Sequence, residues 1–240
     1  SRGNVVLPEQ ISKKYGIDTA RFFLVSIASP DKDIQWSEKG IEGSYRFINK
    51  IFNCFSKLKY NKLKNSKSTK KLEHILNKNI KLITEDIENF KYNLAVIKLR
   101  ELFEVFLEEL CNKKDAENFL KMLCVFCPHI AEELWEKIGN KSFLSLQQWP
   151  EADETKIDEN LEKQDKIIEN AIIDINNIRR IIREKQEKEH HSIYLYVIPK
   201  ELIFFNQKKL SEKLGVNLKV FSVNDPKKYD PQNKSSKAKP

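Results

Sequence analysis

Side chains able to do chemistry fall into three groups in this chain. The first is sulfur and imidazole. Cys124 and Cys127 form a C-x-x-C pair just before His129, the residue types that serve zinc or redox chemistry once further ligands stand nearby. No second C-x-x-C or His pair at ligand spacing completes a four-ligand set, and His190 with His191 falls among charges, so no metal site is expected. His129 has no nucleophile or acidic partner at a telling spacing, and reads as a residue that fills or edges a core. The second group is cationic. Arg179, Arg180 and Arg183 recur on the polar side of a long helical stretch, with Glu184, Glu187 and Glu189 interleaved. Each guanidinium is a planar fork that donates two bonds to one phosphate. Residues 226–240 carry Lys227, Lys228, Lys234, Lys237 and Lys239 against one acid, Asp230, with Tyr229 among them: charge for a phosphate backbone and a ring to stack on a base. The third group is Arg46, Asn49 and Lys50, at helical spacing on one face. Residues 57–71 hold seven lysines and no acid, but their small polar middle, Asn65-Ser66-Lys67-Ser68, has the composition of a solvated linker.

The elements that position these groups follow from periodicity. Pro8 and Glu9 suit the first turn of a short helix stopping at Gly16; Asp18 then caps a second, with Ala20, Phe23, Leu24 and Ile27 inward and Pro30 ending it. Ile41, Tyr45, Ile48, Phe52, Phe55 and Leu58 mark the buried face of a third helix. Thr69 caps a fourth carrying Leu72, Leu76, Ile80 and Ile83; a fifth runs from about Leu94 to Leu110 with Ile97, Leu102, Phe103, Phe106 and Leu110 inward. The next starts near Asp115 and continues to Ile138 with a kink at Pro128. These make an antiparallel bundle. Residues 151–158 read as an acidic, structureless bridge. Beyond them Ile168, Ala171, Ile172, Ile175, Ile178 and Ile182 stripe a long helix, and residues 193–198, 202–214 and 216–220 read as strand, helix, strand. The fold expected is mainly α: a helical bundle over 37–150 after a segment 1–36, a linker over 151–165, and a small α+β domain over 166–240 with a βαβ unit. Two strands make a poor sheet, so a third is expected from beyond Pro240 or from elsewhere in the chain.

Bulk properties agree with a globular, helical protein that meets a polyanion. The 240 residues are 40% hydrophobic and 32% charged, Gly is scarce at 6, and the formal charge is +8 with a pI near 9.1. No apolar run approaches the roughly 18 residues of a membrane span. Cysteines set inside apolar patterns fit a reducing compartment, without disulfides, and a first residue other than Met suggests an excised piece of a cytoplasmic protein.

Four stretches carry a family resemblance. Ser1-Arg2-Gly3-Asn4-Val5-Val6, Pro8, and Lys14-Tyr15-Gly16-Ile17-Asp18-Thr19-Ala20-Arg21-Phe22 resemble the segment after the Lys-Met-Ser-Lys-Ser loop of class I aminoacyl-tRNA synthetases. Ile34-Gln35-Trp36-Ser37, Gly40-Ile41-Glu42-Gly43 and Tyr45-Arg46-Phe47-Ile48-Asn49 are most similar to the leucine enzymes. Phe126-Cys127-Pro128-His129-Ile130-Ala131-Glu132-Glu133-Leu134-Trp135, with Trp149-Pro150, resembles the last helix of their anticodon-binding bundle, and residues 214–231 resemble the archaeal and cytosolic type. The resemblance implies a carboxyl-terminal piece of a leucine enzyme, with Ser1 the last residue of the signature loop. The parent would join leucine to tRNA with ATP and magnesium; the piece itself would hold no cofactor and no complete catalytic site. Its partners would be tRNA(Leu), including the long variable arm, and the enzyme's own catalytic and editing domains. The tRNA contacts implied are Arg46, Asn49, Lys50, Arg179, Arg180, Arg183, Lys227, Lys228, Tyr229, Lys234, Lys237 and Lys239. A valine or isoleucine enzyme, or a helical scaffold whose charge only solubilises it, are the alternatives.

Overall fold

A computed structural model describes residues 6–58, 63, 65–186 and 192–231. It is mostly helical, with one small sheet, and the chain separates into two compact units, Ser1–Asp158 and Glu159–Pro240.

In the first unit, α1 (Pro8–Tyr15) and α2 (Ile17–Ile27) precede a bundle of α3 (Glu38–Ser56), α4 (Lys70–Glu88), α5 (Tyr92–Glu108), α6 (Lys113–Cys124) and α7 (Pro128–Lys137). Side-chain caps set three of the starts: Ser37 accepts from Gly40 N–H at 3.1 Å, Thr69 from Leu72 N–H at 3.3 Å, and Asn112 from Asp115 N–H at 2.9 Å. Phenylalanines dominate the core. Phe55, Phe103 and Phe106 surround Phe119 at centroid distances of 5.5, 5.7 and 5.0 Å, and Phe47 bridges Phe103 to Phe22 of α2. Gly40 is required by a close approach, since a Cβ there would lie 2.6 Å from the buried ring of Phe23.

Several expectations are corrected. Asp18 does not cap α2; Gly16 occupies that position, and Asp18 is buried with its carboxylate turned toward α7. In α2 the buried pair is Phe22 and Phe23 while Leu24 and Ile27 face out, and in α3 Phe47 and Ile51 are buried while Tyr45 is exposed. Ile97 also faces out, because Val96 and Leu99 hold the inward positions of α5, and Leu110 is exposed beyond the end of that helix at Glu108. Pro128 does not kink one helix: it begins a new one, α7, at a position where its missing N–H costs nothing. Residues 151–158 are not a loose bridge. Asp153 N–H donates to Asn77 Oδ1 (2.8 Å), Lys156 pairs with Glu73 (2.8 Å), Glu154 with Lys81 (3.0 Å), and Asp158 N–H donates to the buried His74 Nδ1 (2.9 Å). All four partners belong to α4, and α8 begins at the next residue, inside the stretch read as linker.

The second unit is α8 (Glu159–Gln186), β1 (Ser192–Val197), a 3-10 turn (Leu202–Phe204), α9 (Gln207–Leu214) and β2 (Asn217–Ser222). β1 and β2 pair in parallel, Ser192 opposite Asn217 through Val197 opposite Ser222, and α9 makes the crossover that a parallel pair needs. Gly215 ends α9 in the left-handed conformation (φ +63°), a position glycine takes without strain. Ile175 of α8 packs with Val197, Phe205, Leu210, Leu214, Val216 and Leu218. Among the described residues the sheet has two strands, so none from elsewhere in them supplies a third.

Candidate nucleic-acid interface

On the first unit the three residues singled out on α3 do come together. Arg46, Asn49 and Lys50 are joined by Tyr45, Asn53 and Lys57 along an open groove of about 680 Å³, closed on one side by Leu107 of α5. Helical spacing of three and four residues puts them on one face. Each is held by a local partner. Arg46 lies 3.9 Å from Glu42, Asn49 Nδ2 donates to Tyr45 O at 2.9 Å, and Lys50 Nζ is 2.7 Å from Glu104. The two ion pairs are exposed, the class that contributes roughly 0–1 kcal/mol, so a phosphate competes for either cation at little cost. Below them the α5 residue Arg100 stacks on Phe22 and Phe47, its centre 4.9 and 4.5 Å from the ring centroids, and burial pulls its guanidinium below the usual value.

On the second unit the expected cations scatter. Arg179 does not join the polar side of the long helix: its guanidinium turns inward and donates to Leu214 O at 3.0 Å, a cation at the negative end of α9. Arg180 and Arg183 are exposed. Lys228 Nζ donates to Val223 O, whereas Lys227 is exposed and uses its backbone N–H toward Asp225 Oδ1 (2.8 Å). Tyr229 is exposed, but its ring already lies 4.8 Å from that of Tyr194, and its carbonyl accepts from Tyr196 Oη. Ser1, Lys234, Lys237 and Lys239 lie outside the described residues.

Sequence reasoning missed an aromatic face. Tyr194 and Tyr196, alternating with the core residues Leu195 and Val197, each lie 6.3 Å from Phe221 of β2, and Tyr229 adds a fourth ring. The period-two spacing in Ser-Ile-Tyr-Leu-Tyr-Val is the signal that points to it. A cavity of about 1220 Å³ runs between α8 and β1, lined by Ile175, Ile178, Arg179, Tyr194, Tyr196 and Tyr229 among others.

The cysteines resolve into packing, whereas His129 is exposed and does not fill the core as expected. Cys124 ends α6 and Cys127 sits at the cap of α7, so they do not share a helix; burial pushes the Cys124 and Cys111 thiols up to about 11 and that of Cys127 further still. Among the described residues no group of three or more His, Cys, Asp or Glu could hold a metal ion. His129 has an acidic partner after all: its Nδ1 lies 2.8 Å from Asp18 Oδ1, across 111 residues of chain. The rest of the 126–135 string also has structural work. Glu132 accepts from the N–H groups of Leu144 (2.7 Å) and Ser145 (2.8 Å), Trp135 Nε1 donates to Ser142 O, and Trp149 Nε1 to Thr84 Oγ1.

Comparison with known proteins gives this geometry a context. The chain is 38% identical over 178 residues to the leucine--tRNA ligase of Petrotoga mobilis, 35% over 221 residues to that of Thermotoga maritima, and 37% over 167 residues to that of Rickettsia bellii. These matches cover 65, 80 and 66% of this chain but only 22, 27 and 20% of the relatives, so the chain spans about a quarter of their length. All three relatives are bacterial, which gives no support to the archaeal or cytosolic type implied by residues 214–231. Among solved structures, the LeuRS of Agrobacterium radiobacter, in a ternary complex with tRNA and LeuAMS, shares the fold at a TM-score of 0.58 and 20% identity, covering 66% of this chain and 23% of its own. The family model described as the anticodon-binding domain of tRNA ligase matches residues 69–195, more than half of the sequence, and the chain belongs to that family.

Proposed function

We propose that this chain is the tRNA-binding, carboxyl-terminal part of a leucyl-tRNA synthetase, holding tRNA(Leu) while leucine is attached to it with ATP and magnesium elsewhere in the enzyme. The observation that carries the reading is 35–38% identity to leucine--tRNA ligases over 65–80% of the chain. The relatives named are bacterial, so the archaeal or cytosolic character is not carried into the proposal. Geometry supports a binding role for the α3 face, where Arg46, Asn49, Lys50 and Lys57 line one groove and their carboxylate partners are exposed and exchangeable. In the second unit Arg180, Arg183 and Lys227 are the further phosphate contacts proposed, together with Lys234, Lys237 and Lys239 from outside the described residues, and Tyr229 with its aromatic neighbours is the stacking element for an unpaired base of the long variable arm. No cofactor is proposed for this part, and its setting is the cytoplasm.

Binding to tRNA(Leu) measured across a salt series tests the reading. Phosphate contacts release counterions, so the logarithm of affinity should fall steeply and linearly with the logarithm of salt concentration. A flat line leaves only a helical scaffold. Competition with a tRNA lacking the long arm tests the second unit: equal affinity removes the arm from the proposal. Leucine-dependent pyrophosphate exchange by this chain alone would contradict the assignment of adenylate formation to another part.

A further inference from the structure

Two of the strings that carry the family resemblance, residues 14–22 and 126–135, meet at a single joint. Asp18 is 4% exposed, yet it caps nothing in its own helix. Its Oδ2 accepts from Ile130 N–H at 2.8 Å, in the first turn of α7, and its Oδ1 accepts from His129 Nδ1 at 2.8 Å. The Cys127 thiol donates to the Asp18 carbonyl (S to O 3.9 Å), Arg21 donates to Val125 O at 3.4 Å, and the rings of Phe22 and Phe126 meet edge-on at 6.4 Å. The same Phe22 also stacks on Phe47 of α3 at 5.4 Å, with Arg100 of α5 over both rings. Apolar contact alone tolerates sliding of one helix along another. A buried carboxylate with both oxygens satisfied by two consecutive residues of the partner helix admits one register.

We infer that Asp18 is a positioning residue for tRNA binding: it locks α2 to the start of α7 and, through Phe22, fixes the α3 face on which Arg46, Asn49 and Lys50 stand. The inference rests on the functional reading above. It touches no RNA itself.

The test uses the 240-residue chain at a temperature where circular dichroism shows every variant folded. Asp18→Ala weakens tRNA(Leu) binding about ten-fold, with the salt slope unchanged because no phosphate contact is lost, whereas Lys50→Ala lowers the slope by about one. Amide hydrogen exchange in 17–27 accelerates in Asp18→Ala while 70–88 keeps its protection. Asp18→Asn restores most of the affinity, because its carbonyl still accepts from Ile130 N–H and its amide donates to His129 Nδ1 in the other tautomer. His129→Ala provides a second variant that keeps the cap of Ile130 should Asp18→Ala fail to fold, and it loosens binding in the same slope-neutral way. Wild-type affinity in folded Asp18→Ala and His129→Ala overturns the inference while the functional reading stands. A wild-type chain that shows no salt-dependent tRNA binding overturns the reading, and the positioning role with it.

Discussion

Glu132 illustrates how a residue from a family string earns its place without touching a ligand. Burial works against its charged form, but the N–H groups of Leu144 and Ser145, bonded at 2.7 and 2.8 Å, outweigh it and hold the carboxyl below its ordinary 4.5. A depressed carboxyl stabilises the fold above its unfolded value, and that contribution disappears as pH falls through the folded one. Glu132→Gln should therefore cost about 1–2 kcal/mol at pH 7, and the cost should shrink as pH falls through the carboxyl's depressed folded value, where the wild-type group is itself protonated; thermal melts across a descending pH series measure the difference. Residue types and spacing in the sequence reveal the shared face of Arg46, Asn49 and Lys50, since helical periodicity is local. They do not reveal Glu104 beside Lys50 or Asp18 beside His129, because those partners lie 54 and 111 residues away and only packing brings them close.

At the scale of elements, helix ends are legible where a polar side chain or glycine marks them, as at Thr69 and Gly215. The end of α4 has no such mark. Lys91 N–H donates to Asp86 O (2.7 Å) and Phe90 N–H to Ile87 O (3.1 Å), the bond pair of a Schellman motif, yet the left-handed position is filled by phenylalanine at φ +57°. Phe90 is 65% exposed, its ring meeting only that of Tyr92 edge-on among the ring contacts described, so little packing compensates the strained backbone. Phe90→Gly should stabilise the helical unit by about 1 kcal/mol, raising its midpoint by roughly 2–4 °C in a thermal melt; an unchanged or lower midpoint would assign the ring a packing role. The inward faces of α2 and α5 depart from the periodic expectation by one or two positions for a related reason. Apolar residues there exceed what one face can bury, so periodicity alone does not choose between Leu24 and Phe22, and the close approach of Gly40 to Phe23 makes the choice.

For the whole molecule, composition gives the class and the net charge of +8 gives the direction of the search, but not where cations are free to act. The division between Asp158 and Glu159 is hidden in the sequence because the acidic composition of 151–158 looks solvated, whereas four attachments to α4 make it part of the first unit. The strand, helix and strand of the second unit are legible, since a switch of period from 3.6 to 2 is local information. The functional reading makes a molecule-wide prediction: replacing Lys234, Lys237 and Lys239 together by Ala should reduce the salt slope of tRNA(Leu) binding by up to about three, leaving the melting behaviour of the helical unit unaltered. An unchanged slope would confine phosphate contacts to the remaining surfaces.

The parallel pairing of β1 with β2 bears on how such a protein is made. A ribosome releases the chain from the amino end, so Ser192–Val197 emerges before α9 and before Asn217–Ser222, the only strand described as its mate. At roughly 5–20 residues per second, the nascent Ser-Ile-Tyr-Leu-Tyr-Val segment waits on the order of a second or more with its backbone edges and tyrosines uncovered. During that interval the segment is open to pairing with the exposed edge of another strand, and shelter there protects the newborn chain from aggregation.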